Sequence, residues 1–285
     1  MPGKAVVVCV LIALSFPSST QAWWCGDHTV LTKASFESLP ETMPAFFRAG
    51  VNEVAHYVCD PDLFKNNRVP GLSAAEFPEH IFDVELLNGH APPLHRHEFI
   101  SLCDSLGVAP SKVGFALYAI TEWTDRLTIA FAEHRRWPDN EAVQSKCLVY
   151  AGILSHYTQD LCQPLHVTIH FDGYADENGR VPHSGIHEAV DSIIQRLNLS
   201  HAAIADGISP VSTGDIRTAV EEELTRSRAL IDVIYDHEQE IRTASEEAAS
   251  FANERSEAAA RFTASLLLSA WHLSESVELP GWLRR

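Results

Sequence analysis

Apolar residues recur along most of the chain at the three- and four-residue spacing that places side chains on one face of an α-helix. Strict alternation of apolar and polar residues, which is typical of β-strands, is scarce. The segments with helical period are 29–57, 97–105, 110–135, 140–162, 185–199 and 214–276. The pattern predicts an all-α fold, and no evident linker divides it, so we expect a single compact multi-helix domain.

The ends of these segments are marked by helix breakers and turn-forming residues. Pro164 cannot donate a backbone hydrogen bond and biases Gln163 away from helix, so the segment 140–162 should end there. The segment 214–276 is longer than a usual single helix, and we expect two or more helices with a bend. Loops rich in Pro, Gly and Asn are predicted at 59–79, 88–95 and 167–184.

The first 22 residues have the character of a targeting segment. Lys4 precedes the apolar run AVVVCVLIALSF, which is too short to span a bilayer, and the small residue Ala22 offers a cleavage point. The sequence therefore predicts a signal peptide over residues 1–22, cleaved between Ala22 and Trp23. The domain of residues 23–285 would then be secreted or periplasmic.

The composition of the chain limits the size of its core, the charge of its binding partners and its possible disulfides. With 46% hydrophobic residues among 285, the chain can bury a sizeable core. It carries 38 acidic against 21 basic residues, a net charge of −17, and should repel nucleic acid at long range unless bound cations reverse the local field. The cysteines beyond residue 22 could form two disulfides and leave one thiol, with the pairing open: Cys25, Cys59, Cys103, Cys147 and Cys162.

Histidine and aspartate recur at a spacing that suits metal ligands. His156 and Asp160 lie four residues apart on a predicted helix, and His166 follows just beyond its predicted end. His187 and Asp191 repeat the four-residue spacing on another helix. A single such pair is more often a buried histidine bonded to an aspartate, but two pairs favour a metal site, because imidazole and carboxylate are ligands that Zn²⁺ accepts.

The predicted new N-terminus offers a further set of ligand atoms. The amino group and carbonyl of Trp23 could form a five-membered chelate ring, and His28 could turn back to complete the coordination. The ordinary alternative is that Trp23 anchors the chain in the core while His28 lies at the surface.

Taken in order along the chain, these motifs resemble those of the trinuclear zinc phosphodiesterases. This superfamily contains bacterial zinc-dependent phospholipase C and the fungal single-strand-specific nucleases P-one and S-one. The shared features are an N-terminal Trp, an early His, a loop Asp, a His upstream of an Asp, the motif His-x3-Asp-x5-His within HYTQDLCQPLH, and His-x3-Asp. The resemblance covers nearly all of the chain after residue 22.

The resemblance implies an all-α fold with a cleft that holds three zinc ions. The first ion would be bound by Asp62, His80, His156 and Asp160, the second by Trp23, His28 and Asp160, and the third by His166, His187 and Asp191. Asp60 remains an alternative to Asp62 as the loop ligand.

The resemblance also implies a mechanism in which a hydroxide bridging two zinc ions attacks phosphorus. Asp160 would bridge the two ions, and Asp62 would orient the attacking water or accept its proton. Lys65 corresponds to a residue that contacts the phosphate. Phe82 and Asp83 correspond to positions that stack on a base and read its edge in the nucleases.

Two features favour the nuclease branch of the superfamily, namely the short gap from Trp23 to His28 and an aspartate at position 191. The expected activity is hydrolysis of single-stranded DNA or RNA to 5′-phosphate products by a monomer without a stable protein partner. The segment 167–184 departs from the nuclease pattern, so a phospholipase C acting on phosphatidylcholine remains an alternative. A secreted, zinc-stabilised helical binding protein without activity is a third possibility. His170 and Asp172 in this segment are either supporting residues or surface groups.

Overall fold

The structure is a computed structural model that describes residues 23–174 and 180–284. These residues form one all-α domain, as predicted, and no β-strand occurs among them. The helices are α1 (Cys25–Glu37), α2 (Ala45–Ala49), α3 (Val51–Tyr57), α4 (Asp60–Phe64), α5 (Pro70–Glu76), α6 (Arg96–Leu106), α7 (Pro110–Val113), α8 (Ala116–Arg136), α9 (Glu141–Cys162), α10 (Ile186–Asp191), α11 (Ile193–Arg196), α12 (His201–Ala205), α13 (Ile216–Arg228), α14 (Ile231–Asp236), α15 (Glu238–Thr243) and α16 (Glu246–Leu273). Short 3₁₀ helices span Phe77–His80, Val84–Leu87, Pro164–His166 and Ser274–Ser276. The predicted signal peptide lies outside the described residues.

Helix α9 lies at the centre of the domain, where it packs against α3, α8 and α16. Every residue from 151 to 162 is buried, including the polar residues His156, Gln159 and Asp160. Burying so many polar groups on one helix is unfavourable unless each finds a partner. The buried polar residues in the second half of α9 therefore indicate a functional site there.

The predicted helix boundaries hold at α6 and α9 but not in the other four segments, and 185–199 divides into α10 and α11 at Ser192. The segment 29–57 is interrupted after Glu37 and resumes at Ala45, because prolines occupy positions 40 and 44. The segment 110–135 breaks at Gly114, whose φ is +97°. The segment 214–276 forms four helices, and the turn before α16 has Ala244 in the left-handed conformation.

The structure pairs Cys25 with Cys59 and leaves three buried free thiols, Cys103, Cys147 and Cys162. The interpretation of two disulfides is therefore wrong for the described residues. The bridge ties the first residue of α1 to the residue before α4. Across the described ranges, no helix combines the length and the apolar character needed to cross a membrane.

Candidate metal centre

The carboxylate of Asp160 is fully buried and surrounded by histidine nitrogens. Its Oδ2 atom lies 2.8 Å from His80 Nδ1 and 3.3 Å from His156 Nε2, and its Oδ1 atom lies 3.3 Å from His28 Nε2. The three histidines come from the 3₁₀ helix 77–80, α9 and α1. Three separate parts of the chain thus meet at one carboxylate, and its two oxygens face different histidines.

A second group of ligand atoms adjoins the first. His187 Nε2 lies 3.1 Å from Asp191 Oδ2, and the rings of His166 and His187 are 5.0 Å apart. His166 Nδ1 is 3.9 Å from Asp160 Oδ2, so the two groups are neighbours. The break after α9 produces this arrangement, because the 3₁₀ helix Pro164–His166 turns His166 back towards Asp160.

Asp62 joins the centre from α4. Its Oδ1 atom lies 3.7 Å from His156 Nε2 and 2.6 Å from Lys65 Nζ. The structure brings potential ligand atoms within 4.8 Å of one another in three groups: His28, Asp62 and His156; His80, His156 and Asp160; His166, His187 and Asp191. Asp60, the alternative to Asp62, is in none of these three groups.

Hydrogen bonds to one ring nitrogen orient four of the histidines. The acceptors are oxygens, so the bonded Nδ1 atom carries the proton and Nε2 is left with its lone pair. The pairs are His28 with Gln159 Oε1 at 2.7 Å, His156 with Val58 O at 2.7 Å, His166 with His80 O at 3.0 Å and His187 with Phe171 O at 3.2 Å.

His80 has the opposite orientation. Its Nδ1 atom faces Asp160 and His156, while its Nε2 atom lies 3.5 Å from Glu76 Oε1. The hydroxyl of Tyr157 donates a hydrogen bond to the same carboxylate oxygen of Glu76. Glu76 and Tyr157 therefore support His80 from outside the centre.

Buried atoms without hydrogen-bond partners provide a test of whether metal ions fit. Such an atom costs about 1–3 kcal/mol when it is left unsatisfied. Seven of them belong to the residues of the three groups, but Asp62 Oδ1 pairs with Lys65 and His80 Nε2 faces Glu76. The remaining five are His28 Nε2, Asp160 Oδ1, His166 Nε2, His187 Nε2 and Asp191 Oδ2. Nitrogen and carboxylate oxygen donors of this kind fit divalent cations. These His and Asp groups could therefore hold metal ions.

The protonation states of the buried groups agree with a ligand role. Burial alone would raise the pKa of Asp160, but His156 and His166 outweigh it and hold the pKa well below its usual value. Burial likewise opposes His156 and Lys65 at Asp62, and its pKa is lowered. Burial lowers the pKa of His166 to about 4. At neutral pH the two carboxylates are ionised and His166 is neutral, as ligation requires.

The third group carries the opposite shift at one histidine. Burial would lower the pKa of His187, but the adjacent Asp191 carboxylate outweighs it and the pKa is raised. Asp191 is itself oriented by Gln163, whose Nε2 donates to Asp191 Oδ1 at 2.8 Å.

The N-terminal residues pack against the same centre. Trp23 is fully buried, and its indole Nε1 donates to the carbonyl of Gln159 at 3.2 Å. The next residue, Trp24, donates its backbone N–H to the carbonyl of Asp191 at 3.1 Å. The backbone of Trp23 therefore lies next to α9 and α10, near the groups formed by His28 and Asp191.

An open cleft leads to the centre and is lined by Lys65, His80, His166 and His187 together with apolar side chains. Phe82 is not among the lining residues. It is fully buried and packs against Phe99 with ring centroids 5.6 Å apart, so the stacking role predicted for Phe82 is wrong. The aromatic rings that line the cleft are Phe77 and Phe171, each 43% exposed.

Asp83, in contrast, does line the cleft, with 9% of its surface exposed. Burial and the nearby carboxylate of Glu85 raise its pKa to about 7, against the opposing effect of Arg228. It can therefore act as a hydrogen-bond donor at the cleft near neutral pH, as well as an acceptor.

Backbone hydrogen bonds clamp the segment 78–83 in place. It receives or donates four of them: Phe115 N to Pro78 O at 2.6 Å, Ala116 N to Ile81 O at 3.1 Å, Asp83 N to Val113 O at 2.6 Å and Phe82 N to His166 O at 2.9 Å. The junction of α7 and α8 thus positions His80, and the clamp also turns Phe82 into the core.

Several supporting residues were not singled out from the sequence. Tyr157, Gln159 and Gln163 lie within HYTQDLCQPLH, so their position beside the candidate ligands was a usable signal, whereas Glu76 had none. Asp172 was left open and proves to be a supporting residue. Its Oδ1 atom accepts hydrogen bonds from the backbone of Gly185 at 2.7 Å and of His187 at 3.2 Å.

Comparisons with known proteins give little beyond this geometry. No family model matches the chain, and no curated protein sequence matches it. Among solved structures the chain is similar to "Alpha Toxin from Clostridium Absonum", with 13% sequence identity and a TM-score of 0.37. The match covers 90% of this chain, which spans 64% of the length of that one. The function is therefore argued from the site itself.

Proposed function

We propose that this protein is a metal-dependent phosphodiester hydrolase whose centre holds three Zn²⁺ ions. The observation that carries the proposal is the convergence of buried histidine nitrogens and carboxylate oxygens on three adjoining groups, with five of these atoms, His28 Nε2, Asp160 Oδ1, His166 Nε2, His187 Nε2 and Asp191 Oδ2, lacking a hydrogen-bond partner. The donors are nitrogen and oxygen, which suit zinc. The residues that would hold the ions include the predicted set of Trp23, His28, Asp62, His80, His156, Asp160, His166, His187 and Asp191.

The protein's own groups divide the remaining tasks. Zinc ions held here would supply Lewis acidity towards a phosphoryl oxygen and would acidify a water molecule. Asp160 directs one oxygen towards His28 and the other towards His80 and His156, which is the arrangement of a bridging carboxylate. Asp62 is ionised at the edge of the centre and can orient a water molecule or accept its proton.

Lys65 supplies a positive charge at the cleft. Its ammonium group lies 2.6 Å from Asp62, and both residues are largely buried. A phosphate group entering the cleft would meet this ammonium as a point charge, while His156 and then Lys65 lower the pKa of Asp62 against burial and keep it deprotonated. The same ammonium would therefore both attract the substrate phosphate and favour the ionised form of Asp62, the residue that would orient the attacking water.

Two substrate classes remain candidates. Single-stranded nucleic acid is the class predicted from the sequence, and Asp83 at the cleft could contact a base edge. A phospholipid is supported by the apolar character of the cleft, in which Phe77, Ile81, Leu165 and Phe171 surround the ligands. Of the described residues that line the cleft, Lys65 is the sole Lys or Arg, which gives little attraction for a polyanion.

The disulfide indicates the cellular compartment in which the protein acts. The disulfide between Cys25 and Cys59 fits an oxidising environment, and we propose that the protein is secreted or periplasmic and acts as a monomer.

The test compares hydrolysis and metal content in the same samples. Metal-loaded protein is incubated with bis(p-nitrophenyl) phosphate, with single-stranded DNA and with phosphatidylcholine vesicles, before and after chelation. We expect close to three zinc ions per chain and chelator-sensitive hydrolysis of at least one substrate. Asp160→Asn should lose at least about one zinc and most activity, whereas Asp125→Asn, on the exposed face of α8, should match the wild type. If the protein binds zinc but hydrolyses none of the three substrates, the result would instead support a zinc-stabilised binding protein.

A further inference from the structure

A second cavity lies at the C-terminal end of α1 and is separate from the metal cleft. It is formed where α1 meets α2, α3 and the first residue of α12, and its polar walls include Lys33, Arg48 and His201. Its apolar walls include Phe36 and Leu39, which are 5% and 7% exposed. No residue lining this cavity lines the cleft that leads to the metal centre.

The two strong cations of this cavity have no ion-pair partner among the described residues. Within the described chain, the side chains of Lys33 and Arg48 make no ion pair and no hydrogen bond. The chain has 38 acidic and 21 basic residues, and arginines elsewhere, such as Arg96, Arg228 and Arg242, are bound by glutamates. Arg48 Nε is buried as well as unpartnered, which is unfavourable unless an acceptor reaches it.

The one acid among the described residues that line the cavity forms no ion pair with these cations. Glu37 Oε1 lies 2.7 Å from His201 Nδ1, so its carboxylate is engaged at the rim. Both side chains of this pair are about two-fifths exposed. The cavity therefore presents the two positive charges of Lys33 and Arg48 against the single carboxylate of Glu37, beside an apolar wall where a lower local dielectric strengthens attraction for an anion.

We propose that this cavity binds a small oxyanion of the phosphate class between Lys33 and Arg48. A guanidinium and an ammonium on different helices can reach separate oxygens of a tetrahedral anion, and such charge-assisted bonds are among the strongest that proteins form. The bound anion would accept from Arg48 Nε and would neutralise both cations. The site is independent of the metal centre and of the substrate proposed there.

The first experiment counts binding sites. Inorganic phosphate is titrated calorimetrically into metal-loaded wild type and into Lys33→Gln/Arg48→Gln, with Lys112→Gln as a control that removes an exposed cation from α7. We expect the double variant to bind one phosphate fewer than wild type and the control, or to bind it at least about tenfold more weakly. Its hydrolytic activity should stay unchanged, because neither Lys33 nor Arg48 lines the metal cleft. The activity measurement thus separates loss of this site from damage to the cleft.

The second experiment locates the anion and does not depend on the folding of the double variant. Wild-type crystals are soaked with selenate, and the anomalous difference density is examined at both cavities. We expect a peak beside Arg48 and Lys33, and a weaker one at that position in Arg48→Lys, which keeps the charge but not the planar fork. Equal phosphate binding by the double variant, or no selenate peak in this cavity, would overturn the proposal.

Discussion

Cys25 and Cys59 form a disulfide that joins the first residue of α1 to the residue preceding α4. His28 lies three residues after Cys25, and Asp62 lies three residues after Cys59. The bridge therefore holds together two short segments that each bring a side chain to the candidate metal centre, although 34 residues of sequence separate the two cysteines.

Removing this bridge should destabilise the fold and weaken metal binding together. Cys25→Ser/Cys59→Ser should lose about 3–4 kcal/mol of unfolding free energy, because the bridge restricts the unfolded chain over a sequence separation of 34 residues. Urea unfolding and zinc content measure the two effects. Cys103→Ser, which alters a buried free thiol and leaves the bridge intact, is the control. An unchanged zinc content in the double variant would show that packing alone positions His28 and Asp62.

The N-terminal residue provides a second prediction. If the amino group of Trp23 is a ligand, protein that retains Ala22 before it should bind about one zinc fewer, because the amine has become a peptide nitrogen. Hydrolysis should fall with the zinc content. Protein starting at Trp23 and protein starting at Ala22 are compared by metal analysis and by activity. Equal zinc content in the two would exclude Trp23 as a ligand.

Glu76 should act as a positioning residue for His80. Its carboxylate lies 3.5 Å from His80 Nε2 and accepts a hydrogen bond from Tyr157, so it favours the tautomer whose Nδ1 lone pair faces Asp160. Loss of such a partner typically lowers metal affinity by about 10–100-fold. We expect this in Glu76→Ala when zinc is titrated against a competing chelator, and a smaller effect in Tyr157→Phe. Glu53→Ala, an exposed change on α3, should match the wild type.

Asp83 should make stability depend on pH. Because burial raises its pKa from 3.8 to about 7, ionisation is less favourable in the folded state than in the unfolded chain. Stability linked to this group is complete below pH 4, falls as the pH rises to about 7 and is constant above it. The shift corresponds to at most about 4 kcal/mol. Asp83→Asn should therefore gain stability over the wild type at pH 8 and differ little at pH 3.5, as measured by urea unfolding. A difference independent of pH would contradict this.

Gly114 should be intolerant of a side chain. Its φ is +97°, and a Cβ atom would lie 2.0 Å from the carbonyl oxygen of Ile81, within the segment clamped beside His80. Gly114→Ala should lose more than about 2 kcal/mol of unfolding free energy and also zinc content. Gly207→Ala is a matched control, since Gly207 has a φ of +76° with open space around it. It should lose about 1 kcal/mol without any effect on zinc. Similar losses in both variants would show that backbone strain alone matters.

Local spacing in the sequence was sufficient to predict much of the candidate site. His156 with Asp160, and His187 with Asp191, share helix faces because residues four apart on a helix always do. Pro164 ended the helix where expected because it cannot continue the backbone hydrogen bonds. The loop boundaries were less well predicted, since turns such as those at Gly114 and Ala244 depend on neighbouring segments.

What the sequence determined by itself was the all-α class, the helix that ends before Pro164 and the His–Asp pairs, because these depend on chain geometry within a few residues. Only the tertiary structure brought His80 to Asp160 and paired Cys25 with Cys59. It also buried Phe82 in the core and placed Phe77 and Phe171, instead of Phe82, at the cleft. The physical reason is that contacts across many residues depend on how helices pack. A backbone clamp between distant segments can rotate an aromatic side chain into the core without leaving any mark on the local pattern.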